Sequence, residues 1–128
     1  MNDTIEAIKR SICSTYSFDE LGPDEYLIHT GKYFDDGDEL HIVLRISADG
    51  YKLTDEGHTL MWISYEEYEF TPQGESIRDR IIEQNGASLV DGCIIITVGS
   101  IDDVSDALSS LEQTIMQMAD MRFFGSSR

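Results

Sequence analysis

Residues 26–54 alternate apolar and polar side chains around two turns, and this pattern limits the fold more than any other part of the chain. The first turn is the acidic segment 35–38, and the second is Asp49-Gly50. Alternation with a period of two is typical of antiparallel strands that are buried on one face. An Asp-Gly pair favours a two-residue hairpin turn. The pattern therefore predicts a three-stranded meander, with strands at residues 26–34, 39–47 and 51–54.

The register of the first hairpin follows from pairing Phe34 with Glu39 across its turn. This register puts His29 on the core face of the sheet and His41 on the opposite face, so the two rings are not expected to meet at a metal ion. The second turn is expected to place the apolar side chains of the third strand on the same face of the sheet as those of the first two strands. The residues predicted to share the core face are Leu27, Leu40, Ile42, Leu44, Ile46 and Leu53.

Helices are predicted at both ends of the chain and between the strands. Asn2 or Asp3 can cap a first helix, and Thr54 or Asp55 can cap another that runs into residues 63–70, a stretch that fits either helix or strand. A short helix is predicted at residues 76–84. The last helix starts at Ser100 and has the longest apolar stripe, with spacings of three and four residues. Its members are Ile101, Val104, Leu108, Leu111, Ile115 and Met118.

The remaining segments complete the predicted fold. Residues 17–24 are expected to form a loop because they contain Gly22-Pro23, and residues 87–90 and 93–98 are expected to form a second hairpin. The fold class is therefore α+β: an antiparallel sheet, formed by the three-stranded meander plus the second hairpin, covered by the N-terminal and C-terminal amphipathic helices. Nothing in the sequence suggests a linker, so residues 1–128 are expected to form a single α+β domain.

The charge of the chain restricts its partners. There are 25 Asp and Glu residues against 9 Lys and Arg residues, which gives a formal net charge of −16 at pH 7. Nucleic acids are bound chiefly through Lys and Arg contacts to phosphate, so neither direct nucleic-acid binding nor binding to an anionic membrane is expected. The favoured partner is a basic protein surface. The alternative is that the acidity serves only solubility or adaptation to salt.

The cellular location is predicted from several weaker features. The N-terminus is polar, and no apolar run approaches the roughly 20 residues that a membrane span needs. Cys13 and Cys93 lie far apart and form no Cys-x-x-Cys pair. These features predict a cytoplasmic protein with reduced thiols and no cofactor.

Two acidic segments are the candidate partner-binding surface. Asp35, Asp36 and Asp38 lie at the tip of the first hairpin, and Glu66 and Glu67 alternate with aromatic residues. Carboxylates beside aromatic rings can accept arginine by ion pairing and by stacking. The tip lacks the ligand spacing of a calcium loop. Both segments could instead be ordinary solvated surface.

Two further hypotheses come from different parts of the chain. Asp55, Glu56 and His58 crowd one turn after a strand, which suggests a metal-dependent enzyme centred on Asp55 and His58, although ordinary helix-start chemistry explains the same residues. The sequence contains none of the common catalytic motifs. The apolar stripe of the last helix could form a structural or regulatory homodimer, or it could pack on the sheet of its own chain.

The segment Leu53-Thr54-Asp55-Glu56-Gly57-His58-Thr59-Leu60 resembles the L-T-D-x-G-x-T-L motif of a bacterial and prophage-associated family, the domain of unknown function numbered eighteen-twenty-eight. A helix at residues 76–84 with the basic residues Arg78 and Arg80, a Gly-x-x-Leu-x-x-Gly-x-Ile hairpin and a closing amphipathic helix complete the resemblance. The family has no assigned activity to transfer. Its phage association implies a role in host interaction or defence evasion. Together with the acidity, it favours a non-enzymatic inhibitor that imitates DNA to bind a host nucleic-acid-binding or defence complex.

Overall fold

The computed structural model describes residues 2–12, 16–34, 36–65 and 69–125. Its helices are α1 Asn2–Ser11, α2 His58–Tyr65, α3 Pro72–Gln84 and α4 Val104–Gly125. Its strands are β1 Ser17–Gly22, β2 Glu25–His29, β3 Ile42–Ser47, β4 Gly50–Thr54, β5 Ser88–Val90 and β6 Cys93–Val98. The six strands form one sheet in the order β1-β2-β3-β4-β6-β5, and every pairing is antiparallel. The predicted α+β class is confirmed.

All four helices pack on one face of this sheet. The buried cluster combines Ile8 of α1, Ile63 of α2 and Ile82 of α3 with the apolar stripe of α4 and with one face of the strands. From the strands it receives Ile28, Ile42, Leu44, Leu53, Ile94 and Ile96. The other face, which we call the open face, carries Leu27, Val43, Arg45, Lys52 and Thr97; Val43 at its centre is buried, Leu27, Arg45 and Lys52 are partly exposed, and Thr97 is exposed. An antiparallel sheet tolerates this arrangement because alternate residues can face solvent.

The first hairpin has a different register from the one predicted. Ile28 lies directly opposite Ile42, whereas the tip of the hairpin has only an isolated bridge between Tyr33 and Glu39. Between these two pairs, the segment of chain that follows Ile28 is longer than the segment that precedes Ile42. The longer segment contains Gly31, whose φ of +74° is a conformation that glycine adopts readily. The longer segment ends β2 at His29 and moves the pairing out of the predicted phase.

This shift corrects two predictions. Ile28, not Leu27, lies on the core face, since Ile28 is buried and pairs with buried Ile42. His29 therefore lies on the open face, and the prediction that it faces the core was wrong. The core positions predicted in the second strand are right, because Leu40, Ile42 and Leu44 are buried.

The prediction of a loop at residues 17–24 was wrong as well. It forms β1, the edge strand, which pairs with β2 from Ser17 opposite His29 to Gly22 opposite Glu25. Pro23 and Asp24 are the turn between the two strands. The prediction missed this strand because only the side that carries Phe18 packs on the core, so the apolar alternation is weak.

The second turn lies one residue earlier than predicted. Ser47 pairs with Gly50, so Ala48 and Asp49 form the turn and Gly50 belongs to β4. Leu53 lies on the core face, as predicted, but it pairs with Leu44 and not with Ile46, as the predicted turn would require. Gly50 has a φ of +139°, and a Cβ atom there would lie 2.5 Å from the carbonyl oxygen of Val98. The close approach of β6 therefore requires glycine at this position.

Helices form in the predicted regions, with differences at their ends. In the stretch 63–70, which fitted either helix or strand, residues 63–65 are helical and end α2, and residues 66–68 lie outside the described residues. α3 starts at Pro72 rather than at residue 76, because the Thr71 hydroxyl accepts a hydrogen bond from the N–H of Gly74 and proline suits the first helical position. The β5–β6 hairpin forms where it was predicted. Ser100 caps the short 3₁₀ turn that leads into α4. Of the helices that the structure describes, none is long and apolar enough to cross a membrane.

Candidate partner-binding groove

The turn from β4 into α2 is organised by the carboxylate of Asp55, which is completely buried. Its Oδ1 accepts hydrogen bonds from the backbone N–H groups of Gly57, at 2.9 Å, and Ile94, at 2.8 Å. Its Oδ2 accepts one from the N–H of Thr59, at 3.0 Å. Because Ile94 belongs to β6, a single side chain both caps α2 and ties it to a strand.

This geometry gives Asp55 a structural role. Both of its oxygens are occupied by backbone donors, and the ring of His58 turns away to stack on His41. Within residues 2–12, 16–34, 36–65 and 69–125, no group of three His, Cys, Asp or Glu side chains is placed to hold a metal ion. The enzyme centred on Asp55 and His58 stays a prediction.

A chain of charged and aromatic side chains continues from this turn onto the open face. The rings of His41 and His58 are stacked, with centroids 3.8 Å apart and planes inclined by 10°. His41 Nε2 lies 3.0 Å from Oε1 of Glu56. The other oxygen of Glu56 accepts a hydrogen bond from Arg45, which also donates to Glu25 at 2.7 Å. Arg45 is thus neutralised by two carboxylates.

These contacts shift the pKa values of two groups. Burial lowers the pKa of His58, and the neighbouring His41 ring lowers it further, so the His58 imidazole is neutral at pH 7. Burial alone would raise the pKa of Glu56. The hydrogen bond with His41 and the charge of Arg45 outweigh it, so that the pKa of Glu56 is lowered.

The third histidine makes a separate pair of contacts. His29 Nδ1 lies 3.0 Å from Glu39 Oε1, and its Nε2 lies 2.6 Å from Asp19 Oδ2. The hydrogen bond with Glu39, then the one with Asp19, raises the pKa of His29. Glu39 Oε2 accepts a further hydrogen bond from the N–H of Gly31, which holds the irregular arm of the hairpin.

An open groove of about 340 Å³ lies between the hairpin tip and α2, and we call it the α2 groove. Phe34 and Trp62 stack in its wall, with centroids 4.2 Å apart and planes inclined by 14°. Met61 and Tyr65 are 42% and 72% exposed, so apolar surface is available to a partner. None of the described residues that line the groove is Lys or Arg. These lining residues are Phe34, Asp38, Glu39, His41, His58, Met61, Trp62 and Tyr65.

The predicted partner-binding residues have different surroundings. Asp38 is exposed and lines the α2 groove. Asp36 Oδ2 accepts a hydrogen bond from Trp62 Nε1 at 2.9 Å, so this carboxylate also fastens the hairpin tip to α2. The predicted residues Asp35, Glu66 and Glu67 lie outside the residues that the structure describes. Glu66 and Glu67 directly follow α2 in the sequence.

The sequence analysis did not identify the groove itself. Tyr65 was expected to be one of the aromatic residues beside the acidic segment that can accept arginine, whereas Met61 was counted only as an apolar position of a helix and Trp62 was given no role. The sequence of α2, HTLMWISY, is apolar on nearly all sides. A helix beside a sheet packs only one side on its own core. If the helix is apolar on all sides, the remaining apolar side is available to a partner, and this property of the α2 sequence could have indicated the groove.

The apolar stripe of α4 is used inside the chain. Val104, Leu108, Leu111, Ile115 and Met118 are all almost completely buried and belong to the main cluster. The outer side of α4 carries exposed polar residues such as Gln113 and Gln117. A homodimer through this helix stays a prediction, and it would have to use that outer side.

The fold and the groove define a class: an acidic α+β domain with one covered and one open sheet face, and with an aromatic groove beside the turn that starts α2. The chain belongs to the family described as Domain of unknown function DUF1828, whose family model matches residues 30–118. The match runs from before β3 into α4 and includes every residue of the α2 groove, which confirms the resemblance found in the sequence. Neither the curated proteins nor the solved structures contain a significant match.

Proposed function

We propose that this protein is a non-enzymatic interaction protein that binds a basic surface of a partner protein through the end of the domain that contains the α2 groove. The observation that carries the proposal is the composition of the groove: exposed Met61 and Tyr65 line it together with Asp38, and its described lining residues include no Lys or Arg. Desolvated aromatic side chains beside carboxylates are suited to cationic side chains.

The net charge of −16 supports the same partner class. Several described basic residues are already paired within the chain, such as Arg45 with Glu25 and Glu56, and Lys32 with Glu112. The field outside the protein is therefore strongly negative, which speeds association with a cationic partner and disfavours nucleic acid. The partner class that we propose is a nucleic-acid-binding complex, including host complexes that act against phage, with this chain occupying the surface that binds DNA.

The test is competition with DNA. A labelled duplex bound to a basic DNA-binding nuclease is titrated with the protein at several salt concentrations. We expect displacement of the duplex that weakens as salt rises, since the attraction is screened. Salt-independent binding, or no displacement from any basic partner, would contradict the proposal.

A matched pair of variants locates the surface. Asp38→Lys and Asp49→Lys change the net charge equally, and both residues are exposed turn aspartates, but only Asp38 lines the α2 groove. We expect Asp38→Lys to slow association on the order of tenfold and Asp49→Lys to have a much smaller effect. Equal effects would mean that overall charge, and not this end of the domain, governs binding.

A further inference from the structure

We propose that the α2 groove is a binding site for the guanidinium group of an arginine side chain on the partner. This inference rests on the proposed function and adds which side chain is recognised.

The walls of the groove contain flat rings, of which Phe34 and Trp62 are buried while Tyr65 is largely exposed, so the face available for stacking is chiefly that of Tyr65. Phe34 and Trp62 are stacked, and so are His41 and His58, in each case with nearly parallel planes. Each ring is held in place by its neighbour, and Trp62 is held further by its hydrogen bond to Asp36. Tyr65 leaves most of its ring open to solvent. A guanidinium is planar, weakly hydrated and stacks on aromatic faces, whereas a lysine ammonium is compact and strongly hydrated.

The polar groups of the groove are acceptors. Asp38 offers an exposed carboxylate, whereas both oxygens of the neighbouring Glu39 are already engaged, by His29 and by the N–H of Gly31, so that Glu39 contributes negative charge. No hydrogen bond found among the described residues uses the His58 ring, and this neutral imidazole has a nitrogen lone pair to offer. A guanidinium has donors only and is recognised best where several acceptors surround one plane.

Two other occupants fit less well. An anionic ligand such as a phosphate or a carboxylate would meet Asp38 and Glu39, with no Lys or Arg among the described lining residues. A second copy of this chain would bring another net charge of −16 to an acidic site, and like charges at an interface oppose association. An arginine satisfies the aromatic, acceptor and charge requirements together.

The experiment compares arginine with lysine directly. Trp62 is the single tryptophan of the chain and lies in the groove wall, so its fluorescence reports occupancy. Short peptides with four arginines or four lysines, otherwise identical, are titrated at low salt. We expect the arginine peptide to bind about tenfold more tightly, because only the guanidinium stacks as well as pairs.

Variants test whether the groove is responsible. Tyr65→Ala is expected to weaken arginine binding about threefold, the size of one exposed cation–π contact, and Asp38→Asn is expected to reduce the preference for arginine. Tyr33→Ala and Asp49→Asn are the matched controls. Tyr33 is 55% exposed, and neither residue lines the groove, so both controls should bind as the wild type does. If a groove variant does not fold, chemical-shift mapping of the arginine peptide on the wild-type protein decides the same question.

Equal affinity for both peptides, or a preference that survives both groove variants, would overturn the inference. If the DNA competition is still seen in that case, the proposed function stands without an arginine site. If instead the arginine preference is seen and maps to the groove while no basic partner is bound, the site stands and the proposed function falls.

Discussion

Replacing Asp55 should destabilise the fold strongly, and this outcome separates a structural carboxylate from a catalytic one. The side chain is 0% exposed and accepts three backbone hydrogen bonds, from Gly57, Thr59 and Ile94. Asp55→Ala would remove both acceptor oxygens, and with them all three hydrogen bonds, and leave the N–H groups of Thr59 and Ile94 in buried surroundings.

The magnitude follows from these contacts. Losing a helix cap costs about 0.5–2 kcal/mol, and each buried donor left without a partner costs about 1–3 kcal/mol. The contributions overlap, so we expect Asp55→Ala to lower the free energy of unfolding by about 3–5 kcal/mol. That is a large share of the roughly 5–15 kcal/mol typical of a domain. Asp55→Asn keeps one acceptor oxygen but points its amide N–H₂ group at a backbone N–H donor, so we expect it to lower the free energy of unfolding by about 2 kcal/mol.

Urea unfolding followed by Trp62 fluorescence and by circular dichroism measures this directly. The control is Glu83→Ala, an exposed carboxylate of α3 that should change the free energy of unfolding by no more than about 0.5 kcal/mol. A carboxylate kept for catalysis is commonly replaced at little cost or with a gain in stability. If Asp55→Ala unfolds within about 1 kcal/mol of the wild type, the structural role assigned to Asp55 is wrong.

Three further outcomes are expected. Gly50→Ala should lower the melting temperature markedly because its Cβ would collide with a backbone oxygen of β6, whereas Gly99→Ala, with free space around it, should be close to neutral; equal effects would contradict the steric argument. An NMR titration should give His29 a pKa above its ordinary value. The ion pairs of His29 then stabilise the fold fully at pH values below the ordinary pKa of histidine, and this stabilisation is lost as the pH rises through the raised pKa. In the His29→Gln variant, this pH-dependent loss of stability should be absent. Asp36→Ala should shift the fluorescence of Trp62 and lower the melting temperature, and an unchanged spectrum would show that their hydrogen bond does not hold the hairpin tip in solution.

Much of the fold could be predicted from short stretches of sequence. The β5–β6 hairpin, the cap at Ser100 and the apolar stripe of α4 all depend on residues close together in the chain. The position of Leu53 on the core face was also predictable. Moving the turn by one residue shifts the pairing of the two strands by two residues, and side chains two residues apart lie on the same face. The acidity that favours a basic partner is likewise a property of composition alone.

Other features were decided only by contacts between distant residues. Periodicity says which residues alternate, but not how many residues a loop takes up. The extra length around Gly31 therefore moved His29 to the open face without leaving a sign in the pattern. β1 is a strand because β2 offers it an edge to pair with, not because its own residues alternate strongly.

The α2 groove belongs to this second group. It depends on the bond between Asp36 and Trp62, which are 26 residues apart, and on the stacking of His41 against His58 across two strands and a turn. Each of these residues has an ordinary local explanation in the sequence. Only the packing of α2 against the hairpin tip brings their rings and carboxylates together, because side-chain contacts of this kind depend on the whole chain being folded.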